Sequence, residues 1–182
     1  MRVITGLAKG KRLITSEGLD VRPTPEKAKE GIFSSIQFDI EGRRVLDLFS
    51  GSGQLGIEAL SRGAEFCLFA DISSVSVKNI TRNLENTGLS DKGKVIRGDY
   101  SAVLSGLSEK FDYVFLDPPY AAGLLLPALK KVQRLVSDFG VIICEHPSDQ
   151  QLPETVEDFK VTKVLKYGKI CVSFYRRGGN DE

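Results

Sequence analysis

The chain has 182 residues, 41% hydrophobic and 27% charged, with a net charge of +1. That balance suits one globular domain with room for a small appendage, and excludes a chain that is basic throughout. A chain this long buries roughly 70% of the surface it exposes when unfolded, so neither a metal nor a disulfide is needed to hold its core. The cysteines Cys67, Cys144 and Cys171 are far apart, odd in number and form no CxxC pair. They read as buried reduced thiols, with no structural zinc or other metal expected. No apolar run approaches the ~18–20 residues that cross a bilayer, so no membrane partner is expected. The start lacks the apolar core of a signal peptide, and a cytoplasmic location and, by default, a monomer are expected.

In chain order, residues 2–6 and 11–15 predict two short strands around the turn-prone Ala8-Lys9-Gly10. Residues 1–16 carry Arg2, Lys9, Lys11 and Arg12 and no acid, a local charge able to steer phosphate. Thr24 is the expected N-cap of a helix with Pro25 at its first position, and Ala28, Ile32, Phe33 and Ile36 supply the apolar stripe. Residues 1–37 thus read as a basic hairpin and helix ahead of a main domain over 38–182.

From residue 43 strands and helices alternate. Strands are expected at 45–49, 66–70, 94–97, 113–116 and 141–144. Helices are expected at 54–62, up to about Asn86 with Gly88 as stop, and at 124–136 with Pro127 in the first turn. Residues 160–165 and 169–175 form a terminal hairpin around Lys166-Tyr167-Gly168. The fold class is therefore α/β: a Rossmann-like, mostly parallel sheet covered on both faces, with a C-terminal antiparallel hairpin.

After the first strand comes Asp47-Leu48-Phe49-Ser50-Gly51-Ser52-Gly53-Gln54-Leu55-Gly56, a GxGxxG at a strand-to-helix turn. Glycines there permit positive φ and let a ligand approach the backbone. Asp71, about twenty residues on and followed by Ile72, can accept from ribose hydroxyls. Asp47 favours a moiety with a cationic amine over a pyrophosphate. Asp99 and Tyr100, in Gly98-Asp99-Tyr100, could meet an adenine amino group and ring nitrogen. The candidate cofactor residues are thus Asp47, Phe49, Ser50, Gly51, Ser52, Gly53, Gly56, Asp71, Ile72, Asp99 and Tyr100.

The most specific pattern is Asp117-Pro118-Pro119-Tyr120 at the end of an apolar strand. Ligands of open α/β sheets bind beyond the carboxyl ends of the strands. The lone pair of an aromatic amino nitrogen is delocalised into its ring. Accepting both N–H bonds, at Asp117 and the Pro118 carbonyl, aims that lone pair at an electrophilic methyl. The prolines fix φ and remove competing donors. Tyr120 offers a face on which an extruded base stacks, worth ~1–3 kcal/mol. Rate enhancement then comes from positioning and electrostatics, without a covalent intermediate.

Together with LDLFSGSGQLGIEALSRGA (46–64), RVITGLAKGKRL, DVRPTPEKAKEGIF (20–33) and KYGKICVSFY (166–175), the DPPY tetrad resembles the class I amino-methyltransferases, and more narrowly the bacterial RsmD-type enzymes. The resemblance implies a seven-stranded sheet and S-adenosylmethionine as methyl donor. The implied acceptor is the N2 of a guanine in 16S ribosomal RNA, within RNA already packed with 30S proteins. It places Gly51, Gly53, Asp71 and Asp99 in the cofactor site, Asp117 to Tyr120 in the catalytic loop, and Arg22 and Thr24 near the entrance. RNA contacts are then expected from Arg2, Lys9, Lys11, Arg12, Arg22 and Thr24. Many relatives have glutamate in place of Asp71, and arginines where the helix here reads TPEKAKE; lysine lacks the bidentate phosphate contact.

Other readings remain open: an adenine-N6 DNA methyltransferase sharing the tetrad, an NAD-dependent oxidoreductase using the same loop, or a non-catalytic RNA-binding assembly factor. His146 reads as loop structure, Arg176 and Arg177 as a frayed end, and Phe33, Phe38 and Phe49 as core.

Overall fold

Five apolar segments between glycine-rich turns become the parallel core of one sheet. They are β1 (Arg44–Leu48), β2 (Phe66–Asp71), β3 (Gly93–Arg97), β4 (Phe111–Leu116) and β5 (Val136–Pro147). The computed structural model describes residues 1–16 and 23–179. Three further strands, β6 (Thr155–Val156), β7 (Phe159–Tyr167) and β8 (Ile170–Arg177), extend the sheet by antiparallel pairing, giving the order β3-β2-β1-β4-β5-β8-β7-β6. The sheet is mostly parallel with a C-terminal hairpin, as expected. The eighth strand is the two-residue β6, which pairs with Lys160 and Phe159 at the outer edge.

Helices cover both faces. One layer holds α1 (Glu26–Ile36), α2 (Gln54–Ser61) and α3 (Ser74–Thr87), whose apolar residues join Phe69, Phe115 and Phe174 of the sheet. The other holds α4 (Tyr100–Ser105) and α5 (Leu125–Val132), packed on Leu46, Leu68, Val114 and Ile142. Alternate residues of one strand therefore serve two separate apolar layers, which is why the central strands read as continuous apolar runs. Helix α3 ends where Gly88 adopts φ 72° and returns its N–H to Glu85. Helix α4 has no counterpart among the sequence expectations; its single apolar turn over Val103 and Leu104 is too short to give a period.

Several local expectations are corrected. The first segment joins its two arms through one bridge, Arg2 to Arg12, and backbone bonds from Val3 to Lys11 and Leu13 to Met1, in place of two strands, because the backbone between them turns to α2. Ile4 and Thr5 donate their N–H groups to the Glu58 carboxylate at 2.9 and 3.0 Å, and Ala8 donates to the Ser61 hydroxyl at 2.9 Å. Val3, Ala8 and Leu13 are buried in the same layer as α1 and α2. The N-cap of α1 is Pro25, not Thr24, whose side chain turns inward. The last hairpin turns at Gly168 and Lys169, with Gly168 at φ 60°, one residue beyond the expected turn centre. Arg177 is not frayed: it ends β8 with its guanidinium 4.9 Å from the Phe159 ring centre. Phe33 is core, whereas Phe38 is 96% exposed. His146 lies buried in β5, its Nε2 2.8 Å from Ser173 Oγ. The three cysteines are buried free thiols. Among the described residues no helix is long and apolar enough to cross a membrane.

Glu58 is fully buried and holds the first segment, Lys29 (3.7 Å) and Arg62 (2.9 Å) together. Burial pulls the Lys29 pKa down against the attraction of Glu58. Removing one partner leaves uncompensated buried charge, a loss of about 3–5 kcal/mol. Glu58→Ala should therefore lower the urea midpoint by that equivalent and speed hydrogen exchange at the Ile4 and Thr5 amides. Protected amides in the variant would show that Glu58 does not hold the segment.

Candidate active site

The strand order reverses between β1 and β4, whose chains leave the sheet in register: Leu48 pairs with Leu116, Leu116 with Cys144 and Leu48 with Ala70. The next residue on each strand is Phe49, Asp117, Glu145 and Asp71. Neighbouring strands lie about 4.8 Å apart, so these four residues line one rim at the topological switch point. The glycine loop and the DPPY loop, distant in sequence, emerge side by side.

The glycine loop is built by distinct constraints at each position. Phe49 sits at φ 63°, a conformation a side-chain-bearing residue adopts only when its surroundings impose it. Its ring lies 5.3 Å from that of Tyr100. Ser50 ties β1 to β2: its N–H donates to the Ala70 carbonyl at 2.9 Å, its Oγ accepts from Ala70 N–H at 3.0 Å, and its hydroxyl donates to the Asp47 carbonyl. Gly51 and Gly53 adopt φ 57° and 79°. A Cβ on Gly51 would meet nothing within 4 Å, whereas one on Gly56 would stand 2.3 Å from the Phe69 ring. Gly56 therefore serves close helix–strand packing, and Gly51 leaves open space beside a backbone that turns its N–H to Asp71. Ser52 is partly exposed, its hydroxyl on Met1 Sδ at 3.4 Å.

Each expected carboxylate also has a structural task. Asp71 accepts from Gly51 N–H at 2.9 Å and from Ser73 N–H at 2.8 Å, fixing the loop against the start of α3, beside an Ile72 that is 67% exposed. Asp99 caps α4, accepting from Ser101 and Ala102 N–H at 3.0 and 3.4 Å. Asp47 is buried beneath the loop and accepts from Gly56 N–H at 3.0 Å. Burial, with Asp71 nearby, pushes its pKa up to about 8.

The DPPY loop is linked to two residues that differ from expectation. Thr24 is buried, and its hydroxyl lies 2.7 Å from Glu145 Oε2 and 3.3 Å from Asp117 Oδ2. Tyr120 donates its hydroxyl to Glu145 Oε1 at 2.9 Å. Glu145 was not anticipated at all: it is buried at the end of β5, and the signal available was an acid closing the apolar run Val141-Ile142-Ile143-Cys144. Burial and the nearby Glu145 carboxylate, with a smaller effect of Asp47, hold the Asp117 pKa well above the usual carboxylate range; the Thr24 bond opposes this. Burial likewise raises Glu145 against its bonds from Thr24 and Tyr120. A shallow cleft opens here, lined by Pro118, Pro119, Tyr120, Leu124, Glu145 and Gln150.

Arg2, Lys9, Lys11 and Arg12 are exposed on the first segment, and Arg2 pairs with Glu26 at 3.2 Å. Arg22 lies outside the described residues.

The raised Asp47 pKa makes a signed prediction. An acid whose folded pKa exceeds its unfolded value of ~3.9 binds more protons in the native state, so its contribution is full below that value and is lost as pH rises toward 8. Asp47→Asn should flatten the decline of the urea midpoint between pH 4 and 8 relative to the parent chain. Parallel curves for the two proteins would place the Asp47 proton elsewhere.

The chain is similar to known proteins over nearly its full length. A profile of the family described as "Conserved hypothetical protein 95" matches residues 1–176. The putative rRNA methyltransferase YlbH of Bacillus subtilis is 40% identical, covering 98% of this chain and all of that protein. The ribosomal RNA small subunit methyltransferase D of Haemophilus influenzae is 36% identical over 92% of this chain and 91% of its own. Among solved structures, the putative methyltransferase yhhF from Escherichia coli superposes with a TM-score of 0.87 at 27% identity, covering 97% of both chains. The chain therefore belongs to the conserved hypothetical protein 95 family, the RsmD-type methyltransferases.

Proposed function

We propose that the protein transfers a methyl group from S-adenosylmethionine to the exocyclic N2 amino group of a guanine in small-subunit (16S) ribosomal RNA, within the assembled or assembling 30S particle. The observation that carries this reading is the adjacency of Asp117-Pro118-Pro119-Tyr120 and the glycine loop on the paired ends of β4 and β1. The relatives named for small-subunit RNA methylation support the choice of acceptor.

The residues present fit the donor. Open space over Gly51, the Asp71 carboxylate, the exposed Ile72 and the Phe49–Tyr100 ring pair form a cradle with a polar end and apolar walls. Ser52 and Asp99 border it, the buried Asp47, Ser50, Gly53 and Gly56 shape the loop beneath, and the acids suit a ligand bearing positive charge. When bound, S-adenosylmethionine supplies an electrophilic methyl on a cationic sulfur.

The protein then orients the amine. Asp117 and the Pro118 carbonyl accept its N–H bonds and direct its lone pair. Tyr120, held by Glu145, presents its ring to the base. Arg2, Lys9, Lys11 and Arg12 offer phosphate contacts at the exposed first segment. Thr24 is enclosed beside Asp117, so its part lies in the catalytic network more than in RNA contact.

Incubation with labelled S-adenosylmethionine and methylase-deficient small subunits should label one guanine. Transfer to DNA adenine instead would replace the acceptor, and tighter calorimetric binding of NADH than of S-adenosylhomocysteine would replace the reaction. Asp117→Ala should reduce transfer at least about 100-fold while S-adenosylhomocysteine binding changes little; an active variant would move the chemistry to another loop.

A further inference from the structure

Methylation of a neutral amino nitrogen leaves that nitrogen with one proton too many, and the half-buried Asp117 that accepts it must be cleared of it for the next turnover. The rim provides a continuous path of oxygens for it: Asp117 Oδ2, Thr24 Oγ1 at 3.3 Å, Glu145 Oε2 a further 2.7 Å on, and Tyr120 hydroxyl 2.9 Å from Glu145 Oε1. Thr24 has one hydroxyl proton for two carboxylates. It reaches both, with Glu145 Oε2 the closer acceptor at 2.7 Å and Asp117 Oδ2 the weaker one at 3.3 Å.

We propose that Thr24 and Glu145 form a proton relay behind Asp117, carrying away the proton released when the amino nitrogen is methylated. This rests on the reading of the site as an amino-methyltransferase. The N–H bond breaks, its electron pair stays on nitrogen, and the proton passes to Asp117 Oδ2. Asp117 then donates to Thr24 Oγ1 while the Thr24 hydroxyl proton moves to Glu145 Oε2. Asp117 is returned to its anionic, accepting state, Thr24 is unchanged, and Glu145 ends neutral. Glu145 also lines the cleft, through which it can return the proton to solvent.

Helix capping and ion pairing do not account for its members. Thr24 caps no helix, since Pro25 holds that position without a side-chain bond. Glu145 meets no cation in any ion pair among the described residues, and both its oxygens accept from neutral hydroxyls. Among the described residues the titratable groups facing Asp117 are Glu145 on β5 and Asp47 on β1, with Thr24 the neutral donor from the segment ahead of α1. Glu145 is faced by Asp117, Thr24 and Tyr120.

The test combines carboxyl-carbon NMR titration of the full chain, which needs no substrate, with pH–rate profiles of methyl transfer in single turnover. Glu145→Gln keeps the shape and removes the neighbouring anion, so Asp117 should titrate at least about 1 pH unit lower, and the acidic limb of the rate profile should follow. Thr24→Val removes the bond that favours the Asp117 anion, so the same titration should move upward. The turnover rate near neutrality should fall about 100-fold, with the Michaelis constant for S-adenosylmethionine within about 3-fold of the parent, and Thr24→Ser should restore most of the rate. An unmoved Asp117 titration in both variants, or rate losses without displaced limbs, would overturn the relay and leave only a structural role. A parent protein that methylates no guanine while Asp117 and Glu145 still titrate as a linked pair would instead sink the proposed function, leaving the carboxylate coupling in place.

Discussion

The register between β1, β4 and β5 fixes everything that happens at the rim. Leu48 against Leu116 and Leu116 against Cys144 are fully buried pairs within one apolar layer. Slipping any of these strands by one residue would exchange the side chains facing the two apolar layers, each of which is fitted to its own helices. The two helical layers therefore lock the register, and the register sets Phe49, Asp117 and Glu145 level with one another. The glycine loop and the DPPY loop, 60-odd residues apart, emerge side by side because hydrophobic packing far beneath them sets the alignment.

That alignment has an electrostatic consequence. Asp47, Asp71, Asp117 and Glu145 gather at adjacent strand ends, and the apolar layers beneath deny the more buried of them full hydration. Burial raises Asp47, Asp117 and Glu145 alike, and repulsion from neighbouring carboxylates adds to it at Asp47 and Asp117. Such crowding opposes stability and persists only because the surrounding core outweighs it, a pattern found where groups are poised for chemistry. The same crowding favours a cationic ligand, which relieves the repulsion by entering. Phe49, forced to positive φ beside these acids, is a second expense at the same place.

Much of this was legible in the residues. The five parallel strands announce themselves as apolar runs because both their faces are covered, and Gly51, Gly53 and Gly88 mark turns that only positive φ can make. The DPPY tetrad marks a loop at the rim because Asp117 directly follows a buried strand. What stayed hidden was decided by contacts between distant segments. The first segment has strand-like composition, yet its amides are claimed by Glu58 and Ser61 more than 50 residues away. Thr24 satisfies every local rule for an N-cap, yet its hydroxyl is drawn to acids 93 and 121 residues further on. Glu145 ends an apolar run where an acid reads as the solvated end of a strand. Phe38, apolar and just past α1, reads as core but follows the helix out into solvent.

The inward turn of Thr24 also determines how the first 36 residues relate to the chemistry. Helix α1 is seated by close contact, since a Cβ on Gly31 would stand 1.7 Å from the Tyr167 hydroxyl. Lys163 adds a bond to Ser35 at 2.8 Å, and Lys29 donates to the Arg2 carbonyl at 2.7 Å. These contacts connect the exposed basic loop, α1 and the Thr24 hydroxyl mechanically. Arg2 and Lys29 thus tie the exposed loop to α1, and Thr24, two residues ahead of α1, bonds to Asp117. Charged residues suited to phosphate and a hydroxyl suited to a proton path are thus carried by one short stretch of chain.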